Sequence, residues 1–172
     1  MNRMLAIGLG LALAGSLSAT AARADATGDA AAVQNFRLSD GFLEKYQAVE
    51  ADVAKDPCRL GAFGLLKSEG KSLDQTAAEY DAQPGVHAML ARHGLTARET
   101  LLGMAALMSA AMEDLRKAHP EMVQKDADAP AVSPANMAFY QSHKDGIRQR
   151  EMQLGQQMLQ ANHGKLPPCL AR

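Results

Sequence analysis

Tryptophan is absent from the 172 residues, phenylalanine and tyrosine number four and three, and cysteine occurs twice. Val, Ile and Thr are sparse, and no segment alternates apolar with polar residues, so a sheet-based fold is excluded. Neither sign of charge dominates: 18 Lys and Arg face 19 Asp and Glu, spread along the chain. Without a basic stripe there is no footprint for nucleic acid, and no polybasic cluster addresses anionic lipid. The motifs of common catalysts are missing as well. There is no Gly-x-Ser-x-Gly elbow, no His-Glu-x-x-His zinc helix and no Gly-rich phosphate loop followed by Lys. Gly61, Gly64 and Gly70 lack the strand-turn-helix setting of a dinucleotide fingerprint. Without Cys-x-x-Cys-His there is no covalent haem, and no other cofactor is implied.

What is present begins with an address. Arg3 supplies a short positive region, Leu5 to Leu17 is uncharged and apolar, and Ala22-Arg23-Ala24 offers small residues to a signal peptidase. Residues 1–24 therefore read as a signal peptide with cleavage expected before Asp25, which implies a periplasmic or secreted protein. The apolar run is too short to span a bilayer, and no cysteine follows it for a lipid anchor. Removing 24 of 172 residues leaves 148, a single helical domain over 25–172 with room for one core. Losing Arg3 and Arg23 takes the basic count from 18 to 16 against 19 acidic residues, a net charge of −3. Cys58 and Cys169 both survive cleavage, and in an oxidising compartment they are expected to form one disulfide. It would tie the tail Leu166-Pro167-Pro168-Cys169 to the turn at Asp56-Pro57-Cys58.

The mature chain reads as an all-α, single-domain bundle of about five helices, stapled by that bridge. Asp25 to Ala32 is expected to be loose. Ser39 or Asp40 caps a helix that places Phe42, Tyr46, Val49 and Val53 on one face, and Pro57 ends it. Ser72-Leu73-Asp74-Gln75 is a capping box opening a short helix to Tyr80. Pro84 to His93 forms another, stopped by Gly94, where a left-handed residue is needed. Thr96-Ala97-Arg98-Glu99 reads as a second capping box. It opens the most apolar helix, whose run LLGMAALMSAAM over residues 101–112 carries no charge. At 100° per residue, Leu101, Met104, Ala105, Met108, Met112 and Leu115 share one face, which is expected to be core. His119-Pro120 ends this helix, 121–133 is a polar connection expected to be mobile, and Ser133-Pro134 starts a last helix to about Asn162. Met137, Tyr140, Ile147, Leu154 and Met158 form its expected inner side.

Two residue types carry chemistry. Thioethers suit soft Cu(I) or Ag(I), and Met104, Met108 and Met112 fall in a row, although methionine fills irregular cores equally well. Met89 and His93 are one turn apart and form the best metal pair, but two ligands do not make a site. His93, His119 and His163 each fall at a predicted helix end, where a cation meets the negative end of the dipole. His143 lies inside the last helix, beside the Tyr140/Ile147 face, where a non-covalent haem would need an axial ligand. Glu44, Glu79 and Glu151 are carboxylates that could converge in space.

The stretch from Pro84 through Gly94-Leu95-Thr96 and Glu99 into the apolar helix resembles a pattern in uncharacterised exported bacterial helical proteins, which pair a signal peptide with a GLTxxE turn. The same Leu95-Thr96-Ala97-Arg98-Glu99 is similar to the Leu-Thr-x-x-Gln repeats of Spy-type periplasmic chaperones, with Glu in place of Gln and one copy only. The first resemblance implies export and a helical fold, and the second a client-binding role. The expectation is thus an exported non-enzymatic helical protein that binds a protein partner or an apolar small ligand, chaperone-like or in an envelope role. The competing expectation is a periplasmic Cu/Ag or haem carrier using Met89, His93 and His143. No membrane span remains after cleavage, and the oligomeric state is not legible.

Overall fold

The computed structural model describes residues 28–60, 71–121, 131–165 and Pro167. Among them there is no strand, and the helices with full bounds are α1 (Asp40–Lys55), α2 (Pro57–Leu60), α3 (Leu73–Asp81), α4 (Pro84–Arg92), α5 (Ala97–Ala118) and α6 (Pro134–Ala161). Residues 28–35 are helical as well. The expected leader over 1–24 and its cleavage point, Gly61, Gly64 and Gly70, most of the polar connection and Cys169 lie outside the described residues.

Side-chain caps set most helix starts. Ser39 Oγ accepts from Phe42 N to open α1, Ser133 Oγ accepts from Asn136 N to open α6, and Pro134 follows at N1. Ser72 and Gln75 form the complete reciprocal box at α3. At α5 only half of the expected box is made: Thr96 Oγ1 accepts from Glu99 N. The turn before α5 uses Gly94 at φ +65°, as its position after α4 required. His93 and His119 are the C-caps of α4 and α5, and His163 follows the α6 cap Asn162. The helix-end placement of these three imidazoles is therefore observed.

Two local expectations are corrected. Residues 28–35 are helical rather than loose, because Val33 is buried in the core and Asp29 Oδ2 accepts from Leu73 N at 2.7 Å. Pro57 does not merely end α1. It starts the short α2, a position proline favours because its missing N–H has no helical acceptor there.

The core joins Phe42 and Val49 of α1, Ala77 and Tyr80 of α3, Val86, Met89 and Leu90 of α4, and Ala97, Leu101, Leu102 and Ala106 of α5. Phe42 reaches α5 at its bare backbone: a Cβ on Gly103 would overlap the Phe42 ring. Phe36 packs edge-on against Phe42 at 5.2 Å between ring centres, and Tyr46 stacks on its other side at 5.7 Å. Helix α6 docks on α1 and α5. Its first turn is locked by Asn136, a buried amide that accepts from Leu38 N at 3.0 Å and donates to Phe36 O at 2.7 Å. Both backbone groups would otherwise be unpaired in the interior.

Substitutions at these two points have expected costs. Gly103→Ala forces the Phe42 ring to move and is expected to lower stability by about 1–3 kcal/mol. Asn136→Leu leaves two backbone groups unpaired and is expected to cost at least about 1–3 kcal/mol. Urea denaturation measures both, and an unchanged midpoint in either variant would contradict the packing described.

Candidate functional site

The predicted core stripe of α5 holds only over its first half, where Leu101 is buried and Met104 and Ala105 pack against the core. Near its start the helix buries Ala97, Thr100, Leu101 and Leu102 while Arg98 stays exposed, and from Gly103 on its buried face is Gly103, Ala106 and Ala110. That face lies about half a turn from Met104, Met108 and Met112 at 100° per residue. Small side chains let the helix approach its neighbours closely, so the bulkier thioethers are turned out. Met108 is 60% exposed and Met112 48%, with Leu115 exposed beyond them, whereas Met104 stays half-buried against the core. The core assignment of Met108, Met112 and Leu115 is therefore corrected.

This outward row borders a cleft between α1, α5 and α6 of about 340 Å³. Leu43, Met104, Leu107, Met108, Tyr140 and Ile147 form its apolar wall. Tyr46 and Glu50 approach from α1, and Lys144, Arg148, Arg150 and Glu151 from α6. On α6 these residues recur three and four apart, so one face of the helix carries both Ile147 and the charges. Asp114 of α5 holds that face in place, accepting from Lys144 Nζ at 3.2 Å and from the Gln141 amide.

The electrostatics are concentrated at Glu50. Burial, and then repulsion from Glu151, push its carboxyl from the ordinary 4.5 up to about 7, although the Tyr46 hydroxyl and Arg150 favour the ionised form. Burial likewise lifts the Tyr46 phenol well above its usual range, aided by the negative charge of Glu50. Arg150 Nε is buried and has no hydrogen-bond partner. An apolar wall with a few convergent polar groups is the make-up of a binding site.

Most residues singled out in the sequence lie elsewhere. Met89 is wholly buried in the core. One turn on, His93 Nε2 sits 2.8 Å from Asp52 Oδ2, with Arg92 at 3.2 Å and Lys55 at 2.9 Å on the same carboxylate. Hydrogen bonds from His93, Lys55 and Arg92 hold Asp52 well below the usual carboxylate range, so this cluster ties the end of α1 to the end of α4. His143 Nε2 lies 2.9 Å from Asp40 Oδ1, while Nδ1 lies 2.9 Å from the Phe139 carbonyl and the ring stacks on Phe139. Among the described residues no group of three or more His, Cys, Asp or Glu is arranged to hold a metal. Of the three carboxylates considered for convergence, Glu44 is exposed, Glu79 pairs with Lys71 at 2.7 Å, and Glu151 alone enters the cleft. Its partner there is Glu50, which sequence reasoning passed over. The available signal was its spacing: Glu50 follows Tyr46 by one turn on the α1 flank beside Val49. Cys58 is exposed on α2. Among the described residues, no helix is long and apolar enough to cross a membrane.

No protein-family model, curated protein or solved structure matches this chain.

Glu50 predicts a pH signature. Its folded value is raised, so the native state keeps a proton that the unfolded chain loses between about 4.5 and about 7. The contribution is full below that window and declines as pH rises through it. Asp52, whose value is depressed, loses its contribution only as pH falls below about 4, so the two effects separate. Glu50→Gln is expected to flatten the fall of the urea midpoint above about pH 5 and to raise it at about pH 8. An unaltered slope would show that Glu50 is solvated.

Proposed function

We propose that this is an exported, non-enzymatic helical protein, periplasmic or secreted, that holds an apolar ligand or an apolar segment of a partner in the α1/α5/α6 cleft. The observation that carries this reading is the outward row of Met108, Met112 and Leu115 continuing from the cleft wall. Flexible thioethers adapt to varied apolar shapes, which suits a site that accepts more than one ligand. The charged groups of α6 around it keep that surface wetted without a partner.

Export is supported by the residue pattern of 1–24, and the likeness of Leu95 to Glu99 to the motif of Spy-type chaperones agrees with client binding. An oxidising compartment also accommodates a Cys58–Cys169 disulfide. In support, Cys58 is not a free thiol, and the chain has only two cysteines.

The binding reading is tested by the protein's ability to suppress aggregation of an unfolding client and to take up an apolar fluorescent dye. Met108→Glu with Met112→Glu is expected to weaken both activities several-fold at unchanged stability, since both side chains are largely in water. Full activity in that double variant, or none in the wild type, would sink the reading. Export and the disulfide are checked together by mass spectrometry of protein recovered from cells expressing the full chain. The expected product begins at Asp25 and gains two hydrogens on reduction. A product retaining residues 1–24, or unchanged by reductant, would contradict one or the other.

A further inference from the structure

The polar side of the cleft is unevenly satisfied. Lys144, Arg148 and Arg150 of α6 stand around it, and Lys144 is paired with Asp114 at 3.2 Å. Arg148 lies in the field of the same carboxylate. Arg150 has the other side, with its Nε buried and unpartnered, facing Glu50 and Glu151. Three cations thus meet Asp114 and Glu151, plus Glu50 whenever it is ionised. With Glu50 protonated the cleft keeps one uncompensated positive charge, and with Glu50 ionised it is neutral.

We infer that the cleft binds a free anionic amphiphile, a single apolar chain ending in a carboxylate that Arg150 holds. This deepens the apolar-binding reading above and rests on it. A planar guanidinium matches a carboxylate through paired N–H donors, which an alcohol or amide head cannot reproduce. A cationic head would meet Arg150 and Arg148 directly. The cleft's volume of about 340 Å³ is at the small end for ligand sites, which suits one short chain rather than a folded partner. Leu43, Leu107, Met108 and Ile147 would cover the chain, with Met104 at its inner end.

The groups facing Glu50 make this binding pH-dependent. From α1 it meets Tyr46, from α6 Arg150 and Glu151, and from α5 only the apolar Met104, Leu107 and Met108. A neutral Glu50 leaves the positive excess to the ligand and offers an O–H donor beside Arg150. Once ionised, Glu50 cancels that excess and repels the incoming carboxylate, so affinity declines as pH rises through about 7.

Calorimetric titration of the purified protein with decanoate, decanol and decyltrimethylammonium tests the inference. Decanoate is expected to bind at least about tenfold tighter than decanol at about pH 6, and to lose most of that advantage at about pH 8. Arg150→Met, which keeps the apolar stem, is expected to remove the advantage while sparing decanol. Glu50→Gln is expected to keep decanoate tight at the higher pH. Decanol binding as well as decanoate at the lower pH, or the ammonium binding best, would overturn the carboxylate inference and leave the apolar cleft standing. If none of the three chains binds, the inference is overturned, and the reading above stands or falls on suppression of client aggregation. The wild-type comparison of head groups decides the matter even if a variant does not fold.

Discussion

The fold depends on one close approach, the Phe42 ring seated against the bare backbone of Gly103. The ring bridges from α1 to α5, and any side chain at position 103 would displace it. Phe36 and Tyr46 then flank the same ring, so three of the chain's seven aromatics meet at this junction. With so few large side chains available, concentrating them at one crossing substitutes for the broad aromatic cores of other proteins. The rest of the interior is filled by Tyr80 and by Leu, Val, Ala and Met89, which pack closely around that centre.

From that crossing the remaining geometry follows. The segment carrying Phe36 and Leu38 must run beside α6, and Asn136 satisfies its backbone while fixing the start of that helix. By the usual rise per residue, the 28-residue α6 extends about 42 Å, well past the 16-residue α1. It therefore spans the α1/α5 junction and closes one side of the cleft. The Asp52 cluster performs a matching task at the far end of α1, where one carboxylate gathers Lys55, Arg92 and His93. Polar contacts in this protein act mainly as end-locks, while apolar contacts set the distances between helices.

The cleft is a by-product of how α5 chose its face. Burying Gly103, Ala106 and Ala110 brings helices close but leaves Met108 and Met112 outside, along with a space that α6 lines with charge. Arg150 Nε remains unpartnered there, and burial together with Glu151 disfavours an ionised Glu50. Methionine here has two roles, a fully buried one at Met89 and a surface one at Met108, which composition cannot tell apart.

Local chemistry made the helix boundaries legible. Ser39, Ser72, Thr96 and Ser133 cap because a hydroxyl satisfies a free N–H wherever a helix begins, and Gly94 turns because it tolerates positive φ. The helical class and the buried positions Phe42, Val49 and Leu154 were readable in the same way. What periodicity could not decide was which apolar face of α5 would be covered, since Leu101 falls in the methionine row and Leu102 beside the small-residue row. Hydrophobicity favours the methionines, but close approach favours glycine and alanine, and that contest is settled only when Phe42 arrives from another helix. The same holds for the site. Glu50 and Arg150 are 100 positions apart in the chain and unremarkable alone, and only the docking of α6 on α1 removes the water that would have kept them ordinary. Sequence determined where helices start and stop, because those forces act within one turn. Tertiary structure decided what faces inward and which charges meet, because desolvation exists only once helices pack.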